Sequence, residues 1–96
     1  MVYDPGAIDA ALAAALGDEP QLIAELRRAF VDSAQRALAV LEAANADEWA
    51  PAAFRLKGLA ASFGAVDLMA LAKAAAAAPV GDPVMLTKLH EAIGEL

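Results

Sequence analysis

The 96-residue sequence contains no cysteine and a single histidine, His90. The lack of thiols excludes disulfides, thiol catalysis and cysteine-based metal sites, so the redox compartment does not matter to this chain. One imidazole among carboxylates that show no paired helical spacing does not form a zinc site. We therefore expect neither a metal nor a cofactor, and we expect no enzymatic activity.

Basic residues are also scarce. Seven Lys and Arg face 13 Asp and Glu, which leaves a formal net charge of −6. This charge repels nucleic-acid phosphates and anionic lipid surfaces, so neither is an expected partner. The most apolar run, residues 68–80, is interrupted by Lys73 and is too short to span a bilayer. The first residues also lack the basic and apolar regions of a signal peptide, so we expect a soluble, cytoplasmic protein.

Aromatic residues make up only 5% of the chain, while the hydrophobic fraction of 60% is inflated by alanine. Alanine contributes helix propensity more than side-chain burial, so the core depends on leucines and a few larger residues. A chain of this length suits one hydrophobic core. We expect a single domain over residues 1–96.

Helix start and stop signals divide the chain into five predicted helices, and no segment alternates as a strand does. The helices are expected at residues 4–16, 19–45, 47–63, 65–78 and 83–96. Predicted caps are Asp4, Asp18 and Asp82, with Pro5 and Pro83 at first helical positions. Pro51 is expected in or near the first turn of the third helix. Short connections favour antiparallel neighbours, so the fold class is all-α: an up-and-down antiparallel four-helix bundle with an additional short N-terminal helix.

The third predicted helix has a complete core-facing arc without Phe54. A turn of 100° per residue predicts that the arc contains Trp49, Ala52, Ala53, Leu56, Leu59, Ala60 and Phe63. Phe54 points about 160° away from the centre of this arc, among the small residues Ala50, Gly58 and Ala61. A large aromatic ring on the solvent side of a helix is typical of an interaction surface.

Two interpretations of Phe54 remain open. In the first, the ring is the centre of a docking surface, and its burial against a partner contributes about 1.5–3 kcal/mol. In the second, the ring folds against a neighbouring helix or the N-terminal segment, or it is one of the single exposed apolar residues that are common on protein surfaces.

The two glycines of this region have different predicted roles. Gly58 costs about 1 kcal/mol relative to alanine in a helix interior, which indicates that a partner or a neighbouring helix comes close to its backbone. Gly64 is expected to end the helix in a left-handed conformation. Ser62 lies on the outward half but has no base within its turn, so we do not expect a nucleophile there.

The segment F-R-L-K-G-L-A-A-S-F-G-A, residues 54–65, resembles the signature of the histidine-containing phosphotransfer (HPt) domains of bacterial phosphorelays. That signature reads H-x-L-K-G, with a second glycine six residues after the first. Leu56, Lys57, Gly58 and Gly64 stand at the family's positions, and Phe54 stands where the family has its phosphoacceptor histidine. A benzyl ring has no nitrogen lone pair with which to attack a phosphoryl donor.

The resemblance extends from about residue 8 to residue 78, through A-L-G-D-E-P-Q-L-I-A-E-L, A-D-E-W-A-P-A-A-F-R-L-K-G and A-S-F-G-A-V-D-L-M-A-L-A. It implies the HPt bundle and a place in two-component signalling, as a pseudo-phosphotransferase. The implied partner is a response-regulator receiver domain or a histidine kinase, bound without phosphate transfer. The implied partner-binding residues are Phe54, Lys57, Gly58, Ala50 and Ala61. Lys57 would be a rim cation for an acidic receiver pocket or an ordinary solvated lysine.

Two alternatives from other classes stay open. The chain could be an active phosphotransfer protein that uses another acceptor such as His90, although the neighbours of His90 do not repeat L-K-G and its position predicts the edge of an apolar stripe. It could also be a structural or oligomerising bundle, in which Phe54 packs against a second copy. We accordingly expect a monomer or a weak homodimer.

Overall fold

The computed structural model describes residues 10, 12–15, 17 and 19–96. Four helices follow one another in this part of the chain: α1 (Pro20–Glu42), α2 (Ala46–Ser62), α3 (Val66–Ala76) and α4 (Pro83–Gly94). None of the described residues belongs to a strand. The prediction of an all-helical protein is therefore confirmed.

The first predicted helix lies mostly outside the described residues, as do the expected caps Asp4 and Asp18 and the expected first helical residue Pro5. Ala10 and residues 12–15 are helical, and Leu12 is buried in the core. Gly17 has a φ of 78°, the left-handed conformation that glycine adopts without strain after a helix.

The boundary between α1 and α2 corrects the sequence prediction. Asn45, expected at the end of the second helix, is the N-cap of α2, because its side-chain oxygen accepts hydrogen bonds from the amides of Asp47 and Glu48, each at 3.0 Å. A polar cap that satisfies two free amides begins a new helix rather than ending the old one. Since α2 begins at Ala46, Pro51 is its sixth residue and lies inside the helix, just past the first turn.

The end of α2 follows the prediction for Gly64, whose φ is 71°. The amide of Gly64 donates to the carbonyl of Ala61 at 3.2 Å, and the amide of Ala65 donates to the carbonyl of Ala60 at 2.9 Å. These two bonds form a Schellman motif, which satisfies the last carbonyls of the helix. Ala65 is fully buried beneath the turn.

The last two helices begin and end close to their predicted limits. α3 ends at Ala76, two residues before the predicted 78. α4 begins at Pro83 with Asp82 as its N-cap residue, although the Asp82 side chain makes no capping hydrogen bond. The connection between them turns at Gly81, where φ is 71°.

The four helices form a bundle in which each packs on the next and α4 returns to pack on α1. Two contacts join neighbouring helices. The ring of Phe30, in the middle of α1, stacks on Phe63 at the end of α2 with centroids 4.6 Å apart. The indole nitrogen of Trp49, near the start of α2, donates to the carbonyl of Ala75, near the end of α3, at 2.8 Å. The second contact, between the start of α2 and the end of α3, is that of antiparallel neighbours.

The buried core draws on all four helices and includes Ala34, Leu38, Ala53, Ala72, Met85 and Ile93. Its largest fully buried side chains are Trp49, Phe30, Leu41, Leu56, Leu68 and Leu89. Alanines at the helix contacts let the backbones come close together, so the few large side chains fill the remaining space. Within the described ranges, no helix combines the length and the apolar character needed to cross a membrane.

Candidate functional site

Helix α2 has one buried side and one exposed side, and Phe54 lies on the exposed side. Five residues of the predicted arc are buried, namely Trp49, Ala52, Ala53, Leu56 and Ala60. The other two, Leu59 and Phe63, are half-buried against the core. Phe54 is 55% exposed. The outward direction predicted for this ring is therefore confirmed.

The exposure of Phe54 differs from that of the other described aromatic residues. Phe30 and Trp49 are 1% and 2% exposed, and Phe63 is half-buried in its stack with Phe30. The bundle is filled without the Phe54 ring, so the ring does not fold into the core between helices. The interpretation in which it packs down against a described neighbouring helix does not fit this exposure.

Lys57, one turn after Phe54, places its ammonium nitrogen 5.9 Å from the centroid of the Phe54 ring. A cation at this distance interacts with the negative face of an aromatic ring, and at an exposed site the interaction contributes about 0.5–1 kcal/mol. Residues three apart on a helix are neighbours, so the sequence spacing was the signal for this contact. The contact keeps a positive charge beside the exposed ring.

Gly58 is exposed, and a Cβ added to it would meet no described atom within 4 Å. The alternative in which Gly58 allows close packing of a neighbouring helix is therefore wrong for the described part of the bundle. Ser62 donates its hydroxyl hydrogen to the Gly58 carbonyl oxygen at 2.9 Å. This bond directs the Ser62 hydroxyl back along the helix, and the expectation that Ser62 is not a nucleophile stays a prediction.

We call Ala50, Phe54, Lys57, Gly58 and Ala61 the Phe54 face. Phe54, Gly58 and Ala61 are exposed, while Ala50 and Lys57 are half-buried. All five lie on α2, and Lys57 lies beside the Phe54 ring. Small neighbours leave the ring as the most prominent feature of this surface.

The charges of α2 are separated along the helix. Its carboxylates, Asp47 and Glu48, lie in the first turn, where they complement the positive end of the helix dipole. Its cations, Arg55 and Lys57, follow in the stretch around Phe54. This stretch is therefore locally positive on a chain whose net charge is −6.

The Phe54 face lacks the imidazole that an acceptor histidine would supply. Phe54 has no lone pair, and the Ser62 hydroxyl beside the face is hydrogen-bonded to a backbone carbonyl. Among the described residues, no three His, Cys, Asp or Glu side chains gather as a metal site would require.

His90 lies elsewhere, on α4, and its side chain is 58% exposed. This exposure is greater than expected at the edge of an apolar stripe, and the His90 ring reaches across to the end of α1. There its Nε2 atom lies 2.6 Å from Oε1 of Glu42. One ring nitrogen is thus held by a carboxylate, a contact that the sequence did not indicate because it joins two distant helices.

Comparison with protein-family models, with curated proteins and with solved structures finds no match for this chain. A function for the Phe54 face can therefore be inferred only from its geometry and from the motif at residues 54–65.

Proposed function

We propose that this chain is an HPt-like module of two-component signalling that binds a response-regulator receiver domain through the Phe54 face and transfers no phosphate. A histidine kinase is the alternative partner of the same face. The module would hold or compete for its partner as an adaptor, without enzymatic activity.

The observation that carries the proposal is the 55% exposure of Phe54 on a helix whose inward arc is already complete. By its resemblance to the HPt signature, the ring would occupy the place of the acceptor histidine and lie where HPt domains meet their partners. Burial of the exposed part of the ring would contribute on the order of 1 kcal/mol or more to binding.

Two further features of the face support a protein partner. The backbone at Gly58, one turn from the ring, is uncovered, because no described atom lies within 4 Å of the position that a Cβ would take. A partner therefore has room to approach it. Lys57 adds a cation beside the ring, which suits a pocket that contains carboxylates. The remaining negative charge of the chain is screened beyond a Debye length of about 8 Å at physiological salt.

A binding experiment tests the proposal. Purified receiver domains from the source organism are titrated against the wild-type chain, Phe54→Ala and Val84→Ala by calorimetry. Val84 is 58% exposed on α4, and α4 packs on α1 and α3 rather than on α2, so it is the matched control. We expect at least one receiver to bind, Phe54→Ala to weaken binding by about tenfold or more, and Val84→Ala to leave it unchanged.

The same titrations separate the alternatives. Binding by a histidine kinase and by no receiver would assign the face to the kinase. Failure of every receiver and kinase, together with a concentration-dependent mass that Phe54→Ala abolishes, would overturn the proposal in favour of self-association.

A further inference from the structure

Resting on the proposed function, we infer that the Phe54 face distinguishes two chemical states of its partner. It binds a receiver whose pocket carries a free carboxylate and rejects the same receiver once that carboxylate is phosphorylated. The face would then sequester the resting partner and release the activated one.

The first argument is the supply of hydrogen-bond donors. A phosphoryl group brings a charge of about −1.5 to −2 and three strong acceptor oxygens. On the Phe54 face, the ring of Phe54 and the methyl groups of Ala50 and Ala61 donate nothing. The Ser62 hydroxyl, which could otherwise donate, is bonded to the Gly58 carbonyl. Within this face, the Lys57 ammonium is the remaining side-chain donor, and Arg55 is a second cation on the same stretch of α2 but outside the face.

The second argument is the environment that the ring creates. An acyl phosphate docked at this place would lose water on one side to an aromatic hydrocarbon. Burial of charged oxygens without partners is strongly unfavourable, and the negative face of the ring adds repulsion. A free carboxylate has about one unit of charge and fewer oxygens, and the Lys57 cation beside the ring matches that single charge.

The third argument compares Phe54 with the imidazole that its position suggests. An imidazole at this place has ring nitrogens that donate or accept hydrogen bonds, so it tolerates a phosphoryl group nearby. The benzyl ring has the same place on α2 and a similar exposure to a partner, but it lacks both nitrogens. The selectivity against the phosphorylated partner therefore depends on the benzyl ring. Phe54→His should remove this selectivity.

The experiment uses beryllofluoride, which forms a stable analogue of the phosphorylated aspartate and cannot be transferred. A receiver that binds the wild-type chain is titrated in Mg²⁺ with and without beryllofluoride, against the wild type, Phe54→His and Val84→Ala. For the wild type and Val84→Ala, we expect beryllofluoride to weaken binding by about tenfold or more. For Phe54→His, we expect the ratio of the dissociation constants with and without beryllofluoride to be about threefold or less.

Beryllofluoride also changes the shape of a receiver, and all three chains meet the same change. A ratio that persists unchanged in Phe54→His would therefore assign the selectivity to the partner's shape and overturn the inference. Equal or tighter binding of the beryllofluoride form by the wild type would overturn it as well, while leaving the proposed function intact. If no receiver binds in either state, the proposed function fails and the inference fails with it.

Discussion

The ammonium nitrogen of Lys57 lies 5.9 Å from the ring centroid of Phe54, one turn away on the exposed side of α2. The pair combines an apolar surface with a positive charge, on a helix whose other side is packed into the core. Neither side chain is needed to fill the bundle. Both are therefore available to a partner, and their replacement is expected to affect binding far more than folding.

The contrast between Phe54 and Trp49 gives the first prediction. Phe54→Ala removes an exposed ring and one weak cation contact, so the free energy of unfolding should change by less than about 1 kcal/mol. Trp49→Phe removes the buried indole N–H that donates to the Ala75 carbonyl and leaves unfilled space, which should cost about 1–3 kcal/mol. Urea denaturation followed by circular dichroism measures both. A larger cost for Phe54→Ala than for Trp49→Phe would show that the Phe54 ring is part of the core.

Gly58 provides a prediction in which stability and binding move in opposite directions. Since an added Cβ meets no described atom within 4 Å, Gly58→Ala should stabilise the helix by about 0.5–1 kcal/mol. The same methyl group would obstruct a partner that approaches the backbone, so receiver binding should weaken. Thermal unfolding and calorimetric titration measure the two effects.

Two other glycines are the controls for Gly58→Ala. Gly94, the last residue of α4, also has open space around it, and Gly94→Ala should leave receiver binding unchanged. Gly64 has a φ of 71°, so Gly64→Ala should destabilise the chain by about 1 kcal/mol. Unaltered binding by a more stable Gly58→Ala variant would contradict the close approach of a partner.

Asn45 tests the corrected boundary between α1 and α2. Asn45→Ala removes the acceptor for the amides of Asp47 and Glu48, and we expect a loss of about 1 kcal/mol in the free energy of unfolding. Asn45→Ser keeps a capping oxygen and should recover most of that loss. Equal stability of the three chains in urea denaturation would refute the cap.

The inward and outward sides of α2 were predictable because they depend on local periodicity alone. A period of 3.6 residues predicted the burial of Trp49 and Leu56 and the exposure of Phe54 before any neighbouring helix was placed. The left-handed turn at Gly64 was also predictable from the local sequence, since few residues other than glycine adopt that conformation without strain.

The contacts between helices were not predictable, because a single sequence does not contain the register of one helix against another. The bond from Trp49 to Ala75, the stack of Phe30 on Phe63 and the pair of His90 with Glu42 all depend on that register. The boundary at Asn45 was missed for a different reason. Asn45 follows a continuous helical pattern, and its capping role depends on which of two helices it joins.

The reversal variant Phe54→His restores the one reactive atom that the Phe54 face lacks, so it tests the central claim most directly. The variant is incubated with receivers phosphorylated by a small-molecule phosphodonor, and acid-labile label on the chain is measured beside the wild type, His90→Ala, and Phe54→His combined with His90→Ala. We predict that both chains with the Phe54→His substitution take the label and that the wild type does not. Label on the wild type that disappears in His90→Ala, or a folded Phe54→His chain that stays unlabelled by every receiver, would contradict the account.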